Sequence, residues 1–113
     1  MEEDIFNYVK NNQHVSMVEL CREIPGFKGD RVWYLGSNTI IWNDCSDVGV
    51  EAMNSLLKNQ KIVGVKVSPF VYVVDGIVPR YPIAKNSTFD YKKPHWLPVT
   101  FSTPDQCRRD GLK

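Results

Sequence analysis

One stretch, residues 38–75 (NTIIWNDCSDVGVEAMNSLLKNQKIVGVKVSPFVYVVD), constrains the fold more than any other. An apolar run leads into a capped amphipathic segment, and two β-rich runs follow. Ser46 is placed to cap a helix, with Asp47 at the positive end of its dipole. Val48, Ala52, Met53, Leu56 and Leu57 recur at helical spacing and give that helix one apolar face. Gly49 either permits close packing or simply weakens the helix, by roughly 1 kcal/mol against alanine. Residues 62–67 and 70–74 are rich in β-branched and aromatic side chains, and Ser68-Pro69 between them reads as a hairpin connection. A helix followed by such a hairpin is the back half of a winged helix. In that fold the helix usually enters a DNA groove and the hairpin, the wing, lies beside it.

The preceding residues supply two more helices. Residues 2–11 open with Glu2, Glu3 and Asp4, which favour the positive end of a helix dipole, and Ile5, Phe6 and Val9 make one stripe. Ser16-Met17-Val18-Glu19 is a capping box, and Val15 and Leu20 can form the accompanying hydrophobic staple. Pro25-Gly26 stops the second helix. Residues 27–30 read as a turn. Residues 32–35 and 38–42 are short β-rich runs that either pair with each other or leave only the second to join the wing sheet. The expected fold is therefore α+β and winged-helix-like, with three helices and a β-hairpin wing over residues 1–76 and an insertion near residues 25–43.

From residue 77 the character changes. Pro79, Pro82, Pro94, Pro98 and Pro104 are too closely spaced for helix, and Tyr81, Phe89, Tyr91, Trp96 and Phe101 stand between them. Residues 77–113 thus read as an extended arm that packs on the domain, on a partner, or on a second subunit by exchange. Its last residues, from Gln106 on, read as a frayed basic end.

Charge is divided unevenly. Residues 1–60 hold five Lys/Arg and nine Asp/Glu, a balance of −4. Residues 61–113 hold nine and four, a balance of +5, and together they give the net +1. A cationic half suits nucleic acid or an acidic partner. If duplex DNA is bound, the candidate contacts are Asn54 and Lys58 on the third helix, Lys61 and Lys66 beside the wing, and Arg80, Lys92 and Lys93 after it. Asn54 could read adenine and the cations could hold phosphates. Asp47 and Glu51 on the same helix repel phosphate, which shifts the expected affinity to wing and arm. Residues 91–98 (YKKPHWLP) interleave bases and aromatics, a pattern shared by single-strand stacking platforms and by self-packing arms.

The remaining features narrow the classes. Cys21, Cys45 and Cys107 are an odd count with no CxxC, which argues against a disulfide framework and suits a reducing cytoplasm. No 18-residue apolar run is present to span a membrane. His14 and His95 lack metal-ligand spacing, and no phosphate loop, dinucleotide fingerprint or nucleophile elbow occurs, so no cofactor and no enzyme activity is expected.

Four stretches together, HVSMVELCREIPGFKGD, NTIIWNDCSDVGVEAMNSLL, FVYVVDG and PIAKNSTFDYKKPHWLPVTF, resemble a family of small proteins encoded by phages and staphylococcal pathogenicity islands. That resemblance implies a winged-helix-like core and an intracellular, regulatory role in a mobile element, and it carries no catalytic residues. The expectation is a DNA-binding protein acting as a homodimer. The alternative is a protein-interaction module using the same core and arm.

Overall fold

In the computed structural model, residues 1–36, 38–74, 76, 79, 81–85 and 91–109 are described. They form an α+β domain with two small sheets. The chain starts with α1 (Glu2–Asn12), whose Ile5 and Val9 are buried one turn apart. Gln13 and His14 then adopt positive φ, 34° and 51°, and turn the chain abruptly into β1 (Val15–Ser16). Ser16 also caps α2 (Met17–Glu23). Its hydroxyl accepts from the Glu19 amide and the Glu19 carboxylate accepts from the Ser16 amide, so the expected capping box is complete.

Strands β2 (Lys28–Tyr34) and β3 (Thr39–Cys45) pair antiparallel, the first of the two arrangements open from sequence. Of residues 27–30, expected as a turn, Lys28, Gly29 and Asp30 instead begin β2. Lys28 and Arg31 both face Cys45, so Gly29 and Asp30 are extra residues in a bulge. The helix α3 (Asp47–Lys58) follows with Ser46 as its cap, the hydroxyl accepting from the Gly49 amide at 3.0 Å. The same hydroxyl donates to the Gly26 carbonyl at 2.6 Å and ties the helix start to the turn before β2. Gly49 permits close packing, since a Cβ there would stand 3.1 Å from the Phe27 ring and carbonyl.

The wing expected over residues 62–74 is not the pairing that forms. The strand β4 (Val63–Lys66) is present, but residues 70–74 are a short helix, α4 (Phe70–Val74). Ser68-Pro69 is not a hairpin turn. The Ser68 hydroxyl accepts from the Phe70 amide at 3.3 Å, and the Val73 amide donates to the Pro69 carbonyl at 3.2 Å. Serine before proline is as good a helix start as a turn. Tertiary contacts decide it, because Tyr72 must reach the core. Its hydroxyl accepts from the Met17 amide at 2.9 Å and donates to the Val99 carbonyl at 2.6 Å.

The partner of β4 lies far down the chain. The first sheet has the order β1-β6-β4, with β6 (Val99–Ser102) antiparallel to both neighbours. The second sheet has the order β2-β3-β5, with β5 (His95–Trp96) parallel to β3. The C-terminal segment therefore does more than wrap the surface. It supplies the central strand of one sheet, and Trp96, Leu97, Val99 and Phe101 join the same core as α1–α3. Trp42, Tyr72 and Trp96 meet there, with Tyr72 edge-on to Trp96 at 5.1 Å and 5.3 Å from Trp42.

The last described element, α5 (Pro104–Arg109), is helical over residues 106–109, the start of the end expected to be frayed, and residues 110–113 lie outside the described residues. Thr103-Pro104-Asp105-Gln106 is a second capping box. The Thr103 hydroxyl accepts from the Gln106 amide, and the Gln106 side-chain oxygen accepts from the Thr103 amide. The Gln106 side-chain amide also donates at 2.9 Å to the Lys10 carbonyl in the last turn of α1 and at 3.0 Å to the Val9 carbonyl, which accepts from the Gln13 amide as well. Gln106→Glu keeps the size but removes both donors and sets a carboxylate against two carbonyls. It should lower stability by about 2 kcal/mol, read as a lower urea midpoint with unchanged slope.

Candidate interaction surfaces

Helix α3 buries Gly49, Val50, Ala52, Met53 and Leu56 and turns Asp47, Val48, Glu51, Asn54 and Lys58 outward. Neighbours partly occupy that outward row. Arg31 on β2 pairs with the Asp47 carboxylate at 3.1 Å, an exposed pair of small energetic weight. The Asn54 side-chain oxygen accepts from the Trp33 indole N–H at 3.2 Å. Bidentate recognition of adenine needs both the oxygen and the amino group of an Asn. Only the amino group of Asn54 remains uncommitted to Trp33. On the other flank, the Ser55 hydroxyl donates to Glu2 of α1 at 2.9 Å.

The described cations expected to hold phosphate come from different parts of the chain. Lys58 is exposed at the C-terminal turn of α3. Lys61 lies over the Phe6 ring at 5.8 Å and lines hollows shared with Glu2 and Glu3 on one side and with Lys10 and Asp105 on the other. Lys66 lies on β4, and its ammonium donates to the Lys85 carbonyl. Lys92 and Lys93 are exposed ahead of β5. Arg80 lies outside the described residues. Within residues 91–98, Tyr91 stacks on His95 with ring centroids 3.9 Å apart, and Asn38 donates to the Tyr91 carbonyl at 2.7 Å. Trp96 is fully buried. It is therefore a core residue, and no base can stack on it.

Two surface features were not legible as sites in the sequence. The first is α4. Tyr72 is fully buried, yet Phe70 and Val74 are 75% and 86% exposed, and Val71 and Val73 are exposed beside them. The helix bears no charged side chain. Scattered apolar side chains on a surface are ordinary, whereas a contiguous cluster marks contact with something. The second is a cleft of about 290 Å³ between the two sheets. Its floor is Trp33, Ile41, Leu97, Val99 and Phe101, all buried, and its rim carries the exposed Leu35, Gly64 and Lys66.

The thiols are not poised for chemistry. Burial pushes Cys21 up to about 11 and Cys45 up to about 12, so neither offers thiolate near neutral pH. Among the described residues, no group of three or more His, Cys, Asp or Glu converges to hold a metal ion. No helix among them is long and apolar enough to cross a membrane. Comparison with protein-family models, with curated proteins and with solved structures finds no match to the chain.

Proposed function

We propose that this protein is a winged-helix-like contact module that associates through α4, with a second copy of itself as partner. The observation that carries this reading is the uncharged cluster of Phe70, Val71, Val73 and Val74 on a helix pinned by the buried Tyr72. A two-fold contact presents the same patch on both subunits. An uncharged apolar patch suits such a contact, because a charged one would repel its own copy. Four side chains make a small interface, so the association is weak. In sedimentation velocity, the chain should move from the 13.0 kDa monomer toward twice that mass as its concentration rises. Phe70→Asp with Val74→Asp should hold it at the monomer mass, with an unchanged circular dichroism spectrum. A monomer at every concentration sinks the proposal.

Duplex DNA is the second reading, favoured by topology. With β2, β3, α4, β5 and α5 set aside, the chain runs helix, short strand, helix, helix and two further strands, with the first strand beside the last in the order β1-β6-β4, which supports a winged-helix-like reading. In this reading β2 and β3 are an insertion before the third helix, and the wing is the connection between β4 and β6. Lys58, Lys66, Arg80, Lys92 and Lys93 would contribute phosphate contacts, and the acidic start of α3 would oppose groove entry. A regulatory role in a mobile element, which the sequence resemblance implies, belongs with this reading. Binding to duplex should weaken steeply as salt rises. Absence of binding at low salt rules it out.

A further inference from the structure

The cleft between the sheets has features of a preformed small-molecule site. Trp33 stacks on Phe101 with centroids 6.1 Å apart and planes 17° from parallel, and its indole N–H is held by Asn54. The floor is thus fixed by contacts on both sides. About 290 Å³ lies open to solvent beside this floor. Gly64 contributes to that room. A Cβ at this position would meet only the Phe101 ring, at an ordinary 3.4 Å, so β4 would sterically accept a side chain that narrowed the cleft.

The lining also defines the ligand. Among the described residues no carboxylate lines the cleft, and one cation, Lys66, does. Its ammonium donates to the Lys85 carbonyl, and among the described residues no carboxylate pairs with it. An ammonium has three donors, so two remain for an incoming anion. We propose that this cleft binds a small apolar carboxylate, with its hydrocarbon body against Trp33, Val99 and Phe101 and its carboxylate on Lys66. An apolar cavity of about 150 Å³ takes one benzene ring, so this one suits two fused rings or a chain of about eight to ten carbons. Such a ligand touches both sheets, since Gly64, Lys66, Val99 and Phe101 come from one and Trp33 and Ile41 from the other.

The test titrates the full chain with sodium octanoate, and separately with 1-octanol, while NMR follows the Trp33 indole and Gly64 amide resonances. Octanoate should shift both along one saturable curve. Lys66→Met, an exposed substitution, should weaken octanoate about tenfold, the size of one charge-assisted hydrogen bond, and leave octanol unchanged. Gly64→Val should abolish the shifts with both, whereas Phe70→Asp with Val74→Asp should retain them. Absence of a saturable shift overturns the site. Equal octanoate affinity in Lys66→Met overturns the assignment of the carboxylate. Undiminished binding in Gly64→Val places the ligand elsewhere and overturns the cleft itself.

Discussion

Tyr72→Ala is expected to leave most of the chain unfolded at room temperature. The side chain is fully buried and packs between Trp42 and Trp96. Truncating a buried aromatic to alanine costs about 3–5 kcal/mol in lost burial and cavity. The hydroxyl adds to this. It accepts from the amide of Met17, the first residue of α2, where a helix leaves donors unpaired, and it donates to the carbonyl of Val99 on the central strand β6. Removing it strands a buried N–H and a buried C=O, each costing about 1–3 kcal/mol. The combined loss is comparable to the whole stability of a small domain, about 5–15 kcal/mol. Tyr72→Phe keeps the ring and loses only the hydroxyl, so it should fold with a deficit of about 2 kcal/mol. Urea denaturation followed by circular dichroism separates the two. Equal, small losses in both variants would show that Tyr72 does not hold α2, α4 and β6 together.

Gly29→Ala should be the costliest glycine-to-alanine change among the described residues. A Cβ at Gly29 would stand 2.7 Å from the Cys45 carbonyl oxygen and from the Ser46 Cα, and 2.9 Å from the Ser46 nitrogen. All three are backbone atoms, so no side chain can swing away. The site is the bulge where β2 passes the end of β3 and the start of α3. Relief requires β2 to move off that junction, which endangers the Ser46 amide bond to the Phe27 carbonyl at 2.7 Å. Overpacking a tight site costs about 1–3 kcal/mol, and a backbone clash belongs at or above the upper end. The thermal midpoint should fall by about 10 °C or more. By contrast, Gly64→Ala, whose Cβ makes only ordinary contact, should change it little.

The parts of this fold legible in the sequence are those with local signals. Helices α2 and α3 begin at Ser16 and Ser46, whose hydroxyls meet the amides three residues on, and such contacts need no distant partner. α4 carries no comparable signature. In FVYVV only Tyr72 is buried, and one buried residue in five displays no helical period. β-branched side chains then dominate a local reading, while the reason for the helix lies at Met17 and Val99. The pairing of β4 with β6 was hidden for the same reason, since nothing near Val63–Lys66 points to a strand that begins at Val99. The start of α5 at Thr103-Pro104-Asp105-Gln106 is readable by the same rule as Ser16, but the close spacing of prolines favours an extended arm in a local reading. The candidate site was less legible still. Charge counting along the chain singled out lysines on several different segments, and the apolar face of α4 emerges only once Tyr72 is known to point inward.

The central claim, that α4 presents its apolar face to a second copy, is tested most directly by NMR on an equal mixture of isotope-labelled and unlabelled chain. Contacts between labelled and unlabelled molecules can arise only across an interface. Intermolecular NOEs from the Phe70 ring to the Val71, Val73 and Val74 methyl groups of another copy are the expected result. Their absence at millimolar concentration, or intermolecular NOEs confined to residues outside α4, would contradict it.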